Sequence, residues 1–147
     1  MNTETIFFYG LFMDPDLLIV EGYTPSSIHI AKLENFNFQL GERATLRPDE
    51  SESVWGTVMD LNKDELIKLY SAPSVSDYRS IDVTCLLQDQ TEVPSKVYVL
   101  PYDFTLAFPT DASYARKLYD ISTKLSLPDE YCQKIKQLIG KIEKAEK

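Results

Sequence analysis

The sequence predicts an α+β fold built on a largely antiparallel, strongly curled, barrel-like sheet. Strand-like runs dominate the middle of the chain, whereas helical patterns follow the first strand and occupy the C-terminus. Strands and helices therefore do not alternate as they would in a doubly wound parallel sheet. Because the 147 residues contain no internal repeat and no Gly/Ser linker, we expect one domain over residues 1–147.

The first predicted element is a short strand over residues 4–9, which ends at Gly10 and leads directly into a helix. Asp14 is a good N-cap, and Pro15 suits the first helical position. In such a turn several backbone N–H groups can converge near the positive end of a helix. We expect Gly10 to provide either a positive φ or a close approach of a ligand. The segment is a candidate carboxylate receptor, with a plain strand-to-helix turn as the alternative.

The next part of the chain is predicted to be mainly extended. Residues 28–40 and 43–46 have strand patterns and are separated by Gly41. The polar residues 48–52 predict a turn, and residues 54–61 predict another strand. Together these features predict a hairpin followed by a further strand.

A short helix and a second hairpin are predicted next. Asn62, followed by Glu65, resembles a capping box, and the helix that it begins is expected to reach Leu69. Residues 79–87 and 93–100 are predicted strands joined by a polar loop.

Two helices are predicted at the C-terminus. Thr110 and Asp111 are expected to begin a helix that ends near Leu125, and Pro128 is expected to begin an amphipathic one. The last helix carries several lysines, which are interpreted as a solvated face or, alternatively, as a partner-binding face.

Charge and composition disfavour several functional classes. The net charge of −8 and the pI of about 4.6 oppose binding to nucleic acid or to anionic membrane surfaces. The N-terminal residues lack the basic region of a signal peptide, so a cytoplasmic location is expected. His29 is the single histidine, and Cys85 and Cys132 lack metal-binding spacing, so no metal site and two reduced thiols are expected.

Several further side chains are candidates for a binding site. Arg43 and Arg47 are possible partners of a ligand carboxylate, although surface ion pairing is the alternative. Tyrosines at strand and helix positions could line a pocket with hydroxyl groups, although packing is again the alternative. The tyrosines in question are Tyr9, Tyr78, Tyr98 and Tyr114.

A series of weak motifs occurs in a recognisable order. The chain contains FFYGLFMDP at residues 7–15, GERATLRP at 41–48, VWGTVMDL at 54–61, Tyr78-Arg79, and LPDEY at 127–131. This succession resembles the γ-glutamylcyclotransferase-like proteins over most of the chain, from Phe7 to about Ile135. The resemblance implies a small mixed, mostly antiparallel β-barrel with flanking helices and a pocket at the Tyr-Gly loop.

The resemblance also implies a chemistry. Active members of the family cyclise a γ-glutamyl group and release 5-oxoproline and an amine or amino acid, without metal or organic cofactor. The α-amine of the substrate attacks its own γ-carbonyl, so a general acid/base, a glutamate in the family, must move protons while donors stabilise the oxyanion. The substrate-binding positions that the resemblance implies are Tyr9, Gly10, Leu11, Phe12, Met13 and Tyr78.

The family glutamate is replaced in this chain. Either Pro73 or Ser74 occupies its position, depending on the anchor of the alignment, and neither can act as a carboxylate base. We therefore expect an impaired enzyme that keeps a pocket for a γ-glutamyl or carboxylate ligand. One alternative is an active cyclotransferase with Asp77 as a relocated acid. The other is a protein-interaction module on the same scaffold.

Overall fold

The computed structural model describes residues 2–41, 43–73, 75–101 and 112–145. A short 3-10 helix, Leu11–Met13, lies between the first strand and the first α-helix. In chain order the other elements of these ranges are β1 (Thr3–Phe8), α1 (Pro15–Val20), β2 (Ser26–Leu40), β3 (Ala44–Asn62), α2 (Lys63–Tyr70), β4 (Arg79–Leu87), β5 (Glu92–Val99), α3 (Ser113–Lys124) and α4 (Asp129–Ala145).

The five strands form a closed barrel in the order β1-β3-β2-β4-β5. Neighbouring strands pair antiparallel except at the closure, where β1 and β5 are parallel and pair at Ile6 and Lys96. Closure removes the exposed sheet edges that a curled antiparallel sheet would otherwise present. The predicted α+β fold with a mixed, mostly antiparallel barrel is confirmed.

The turn predicted at residues 48–52 is wrong. These residues lie within β3, where the pairing passes from Phe36 and Pro48 to Glu34 and Ser53. More residues of β3 than of β2 occupy this interval, so the polar segment forms an irregularity within a continuous hairpin. Pairing on both sides of the segment outweighs its local preference for a turn.

The barrel interior is filled by apolar side chains from every strand. Burial of each such side chain stabilises the fold by roughly 1.5–3 kcal/mol. Leu118 of α3 and Ile135 of α4 extend this core, and both cysteines, Cys85 and Cys132, are buried and unpaired, as predicted. Fully buried strand residues include Ile6, Leu46, Val54, Met59, Leu61 and Val97.

Gly56 permits the close approach of β1 to β3. A Cβ atom at residue 56 would lie 2.1 Å from the carbonyl oxygen of Phe8, a distance that no real Cβ contact adopts. A glycine in a strand commonly marks such an approach. The end of β1, from which the Tyr-Gly turn begins, is thereby held against the sheet.

Local signals placed the two short helices correctly. The Asp14 carboxylate accepts a hydrogen bond from the Asp16 N–H at the start of α1, and the Asn62 side chain accepts one from the Asp64 N–H at the start of α2. A capping box also requires the Glu65 side chain to hydrogen-bond back to the Asn62 N–H, and this part of the prediction is wrong. The Glu65 carboxylate instead accepts from the N–H and hydroxyl of Thr24, each at 3.0 Å. Glu65 therefore connects α2 to the segment after α1.

Helix α3 ends at Lys124, next to the predicted end near Leu125. The predicted helix start at Thr110 and Asp111 lies outside the described residues, and α3 is described from Ser113. Helix α4 begins at Asp129, next to the predicted Pro128. In the described ranges, every helix is too short or too polar to cross a bilayer.

Candidate functional site

The candidate site lies where β1 leaves the barrel. The chain passes from Phe8 through Tyr9 and Gly10 into the 3-10 helix. The buried Thr57 hydroxyl of β3 donates a hydrogen bond of 2.7 Å to the Met13 carbonyl oxygen. This contact fixes the far end of the Tyr-Gly turn against the sheet.

One backbone donor of this turn is used within the protein. The Met13 N–H donates to the Gly10 carbonyl oxygen at 3.1 Å, as the 3-10 geometry requires. Binding of a ligand carboxylate by the amides of Leu11 and Phe12 stays a prediction.

Gly10 is required for a reason other than a positive φ. Its φ is −103°, which any residue adopts, so the expectation of left-handed backbone is wrong. A Cβ atom at this position would lie 2.6 Å from the Tyr114 hydroxyl oxygen. The glycine therefore makes room for the Tyr114 side chain.

Five tyrosines gather at this end of the barrel and are called here the tyrosine cluster. Four of them belong to the predicted pocket-lining set, and Tyr70 is an addition that the sequence analysis missed. Tyr70 ends α2 and carries no local signal, because only its tertiary neighbours distinguish it from a packing residue. The members of the cluster are Tyr9, Tyr70, Tyr78, Tyr98 and Tyr114.

The hydroxyls of the tyrosine cluster remain protonated at neutral pH. Burial is the main cause that raises the pKa of Tyr9, Tyr70 and Tyr114, and the neighbouring phenols raise it further. Burial disfavours the charged phenolate form. The cluster therefore offers neutral hydroxyl groups.

Two of these hydroxyls are bound to the main chain. The Tyr9 hydroxyl donates to the Tyr98 carbonyl oxygen at 2.7 Å, and the Tyr78 hydroxyl donates to the Ala44 carbonyl oxygen. The rings of Tyr70 and Tyr98 stack with centroids 3.8 Å apart and an interplanar angle of 9°. These contacts join α2, β3 and β5 around the Tyr-Gly turn.

Thr45 and Arg47 support the cluster from β3. The fully buried Thr45 hydroxyl accepts from the Leu100 N–H at 2.8 Å, and its hydrogen bond to Tyr9 lowers the pKa of that phenol against the larger effect of burial. The Arg47 guanidinium donates to the carbonyl oxygens of Leu100 and Pro101, both at 3.3 Å. Arg47 thus holds main-chain oxygens at the end of β5.

The candidate acid, Asp77, lies at the edge of the tyrosine cluster. Asp77 forms an ion pair of 3.0 Å with Arg43, and its side chain is 57% exposed. The Arg43 guanidinium carbon lies 5.9 Å from the centroid of the Tyr78 ring, so the ion pair borders the cluster. Pro73 is exposed in the turn after α2, and Ser74 lies outside the described residues. Among the described residues, no carboxylate hydrogen-bonds to a hydroxyl of the tyrosine cluster.

Two cavities bounded by described residues have no residue of the Tyr-Gly turn in their linings. One of about 550 Å³ lies beside Glu4, Asp82 and Lys96, and the other, of about 260 Å³, lies between Phe38 and Lys134. The described part of the chain also contains no group of three or more histidine, cysteine, aspartate or glutamate side chains placed to hold a metal ion.

The barrel, its flanking helices and the tyrosine-lined turn define a cyclotransferase-type fold. The model of the gamma-glutamyl cyclotransferase, AIG2-like family matches residues 6–120. The chain therefore belongs to this family, as its motifs predicted. No curated protein sequence matches the chain significantly.

Solved structures agree with the fold. An uncharacterized protein from Homo sapiens has a TM-score of 0.79 at 22% identity, with 92% of this chain and 88% of that chain covered. A structure named gamma-glutamyl cyclotransferase has a TM-score of 0.77 at 23% identity, with coverage of 91% and 86%. A solution structure from Arabidopsis thaliana has a TM-score of 0.62 at 21% identity, with coverage of 86% and 89%.

Proposed function

We propose that this protein is a γ-glutamylcyclotransferase-like protein that binds a γ-glutamyl or carboxylate small molecule at its Tyr-Gly turn and is catalytically impaired. Family membership supports the scaffold and the place of the site. The observation that supports catalytic impairment is the kind of side chain found around the turn. Phenols surround the turn, and no described carboxylate is hydrogen-bonded to them.

The reaction needs a group that alternately accepts and donates a proton. A general base works best when its pKa lies near the working pH. Burial raises the pKa of Tyr9, Tyr70 and Tyr114 above the ordinary tyrosine value of 10.0, so none of them accepts a proton from an amine at neutral pH. The tyrosine cluster can orient a ligand and donate hydrogen bonds, but it cannot supply the missing base.

The first experiment measures 5-oxoproline release from a panel of γ-glutamyl amino acids and γ-glutamylamines. Loss of a general acid/base typically lowers a rate by about 10²–10⁴-fold, so we expect turnover far below ordinary enzyme rates. Turnover of about 1–10³ s⁻¹ on any panel member would contradict the proposal.

Asp77 provides the competing candidate function, an active enzyme with a relocated acid. The observation that favours it is the Arg43 ion pair, which brings this carboxylate to the border of the cluster. It predicts turnover that disappears in Asp77→Asn and persists in Asp82→Asn, a matched change of another exposed acid, ion-paired at 3.7 Å with Lys96. Absence of turnover in the unmodified protein would eliminate this candidate.

A rescue experiment tests the cause of the impairment. Pro73→Glu and Ser74→Glu introduce a carboxylate at the two alternative family positions, and Pro73→Gln and Ser74→Gln are matched controls without one. We expect 5-oxoproline release to increase in one glutamate variant and in neither glutamine variant. If glutamate and glutamine variants behave alike at both positions, the assignment of the missing glutamate to residues 73 and 74 is wrong.

A further inference from the structure

The cavity of about 260 Å³ lies between the β2–β3 hairpin and α4. Phe38 of β2 lines it together with Ile135 and Leu138 of α4, and Ile135 is buried. Ligand sites in proteins are lined mainly by apolar side chains, with a few polar groups that fix the orientation of the ligand. A cavity of roughly 150 Å³ accommodates a benzene ring. This cavity therefore has room for a ring and a short chain.

Several polar side chains of the cavity are not used by the fold. Asn37 and Ser53 contribute from the two strands, and Gln137 contributes from α4. Within the part of the chain that the structure describes, these three side chains make no hydrogen bond. Tyr131 also lines the cavity, and its buried hydroxyl has no hydrogen-bond partner among the described residues. Because an unpaired buried hydroxyl destabilises a protein, this part of the molecule is not optimised for packing alone.

The charged groups around the cavity favour an anion. Lys134 and Lys141 of α4 line it, and its described lining residues include no aspartate or glutamate. Glu52 forms an ion pair of 2.6 Å with Lys134, whereas Lys141 has no ion-pair partner in the described ranges. The charge of Lys141 is therefore available to a ligand, in a protein whose net charge is −8.

The spacing of the two lysines separates a charged end of the cavity from an apolar middle. Lys134, Leu138 and Lys141 lie on one face of α4, because residues three or four positions apart are neighbours on a helix. At about 1.5 Å per residue, the Cα atoms of the two lysines are about 10 Å apart along the helix axis. Leu138 lies between them. Since Glu52 balances the charge of Lys134, the uncompensated positive charge is at the Lys141 end.

We propose that this cavity binds a small carboxylate that carries an aromatic ring, with the carboxylate beside Lys141 and the ring against Phe38 and Leu138. A ring alone would leave the Lys141 charge without a partner. A small anion alone would leave the apolar lining unfilled, although removal of apolar surface from water is the main gain on binding. The site has no residue in common with the Tyr-Gly turn, so it is independent of the function proposed above.

The test is an NMR titration of isotope-labelled protein with three probes. 3-Phenylpropionate carries both groups, 3-phenylpropanamide has a neutral amide in place of the carboxylate, and propionate lacks the ring. 3-Phenylpropionate should bind about 2- to 5-fold more tightly than the amide, the usual effect of one exposed ion pair. It should bind at least about 10-fold more tightly than propionate, because the ring is removed from water. The shifted signals should come from α4 and from the strand residues around Phe38.

Two lysine variants test the placement of the carboxylate. Lys141→Gln should abolish the preference for 3-phenylpropionate over the amide. Lys136→Gln, a matched change of an exposed α4 lysine outside the cavity lining, should keep this preference. Ser53→Leu places a larger side chain in the lining and should weaken binding of both ring-containing probes. Thermal unfolding of each variant checks folding, and the exposed Lys141 carries the test if Ser53→Leu does not fold.

Three outcomes would overturn the proposal. The first is that 3-phenylpropionate does not bind, and the second is that it shifts signals of the Tyr-Gly turn but none of α4. The third is that the unmodified protein and Lys141→Gln prefer the carboxylate to the amide by the same factor. None of these results bears on cyclotransferase activity, which is measured separately by 5-oxoproline release.

Discussion

The Lys124 ammonium group donates a hydrogen bond of 2.8 Å to the carboxylate of Asp14, a residue that is only 4% exposed. The same ammonium lies 2.8 Å from the carboxylate of Asp16. Asp14 also caps α1 through the Asp16 N–H. The last turn of α3 is therefore tied to the segment that follows the Tyr-Gly turn.

This connection predicts a pH dependence in the alkaline range. Hydrogen bonds to Asp14 and Asp16 raise the pKa of Lys124 from 10.5 to about 12. A lysine with a raised folded-state pKa stabilises the fold below its unfolded pKa, and this contribution is lost as the pH rises from about 10.5 through 12. In Lys124→Met, urea midpoints measured across this range should lose that part of the pH dependence.

The exposed Lys136 of α4 offers a matched control. Lys136→Met should retain the alkaline loss of stability seen in the unmodified protein. Equal pH dependence in both variants and the unmodified protein would show that the Lys124 contacts contribute nothing measurable.

The tyrosine cluster predicts a second alkaline effect. Burial raises the pKa of Tyr9, Tyr70 and Tyr114, whereas the same residues in the unfolded chain ionise near 10.0. The unfolded state therefore releases protons first, and stability falls as the pH rises above about 10. Ultraviolet absorbance of tyrosinate should show fewer ionised tyrosines in the folded protein than in denaturant at the same pH. Superimposable titration curves would refute the burial of these hydroxyls.

The contact between Gly10 and Tyr114 predicts a steric effect. Gly10→Ala should displace the Tyr114 hydroxyl and lower the free energy of unfolding by about 1–3 kcal/mol. Gly140→Ala is the control, because its Cβ meets nothing within 4 Å and alanine favours a helix over glycine by about 0.5–1 kcal/mol.

A double variant isolates this contact. Combining Gly10→Ala with Tyr114→Phe removes the oxygen that the new methyl group would strike. The two changes should therefore cost less together than the sum of their separate effects. Additive losses in denaturant unfolding would mean that Tyr114 is not what requires glycine at residue 10.

The start of α2 gives a prediction about its two polar residues. Asn62→Ala removes the cap and should cost about 1 kcal/mol of unfolding free energy. Glu65→Ala should act through Thr24 instead, so Thr24→Ala and Glu65→Ala should be non-additive in urea unfolding. Coupling between Asn62 and Glu65, with none between Glu65 and Thr24, would show that the predicted capping box forms.

The predictable features of this chain depended on short-range signals. The Asp14-Pro15 pair and Asn62 mark helix starts because a capping side chain reaches only the next two or three amides. The strands Arg79–Leu87 and Glu92–Val99 were predicted within one residue because their alternation and polar loop are local. At residues 48–52 the local signal failed, because pairing with β2 on either side of the segment was stronger.

By itself, the sequence determined the family, the barrel class and the position of the Tyr-Gly turn. These features could be predicted because ordered motifs and hydrophobic alternation are patterns of residues that are close together in the sequence. Only the tertiary structure decided which side chains surround that turn. The Tyr114 hydroxyl of α3 lies against Gly10, and the Tyr70 ring of α2 stacks on that of Tyr98. These neighbours depend on which distant elements reach the turn, and no local pattern records that.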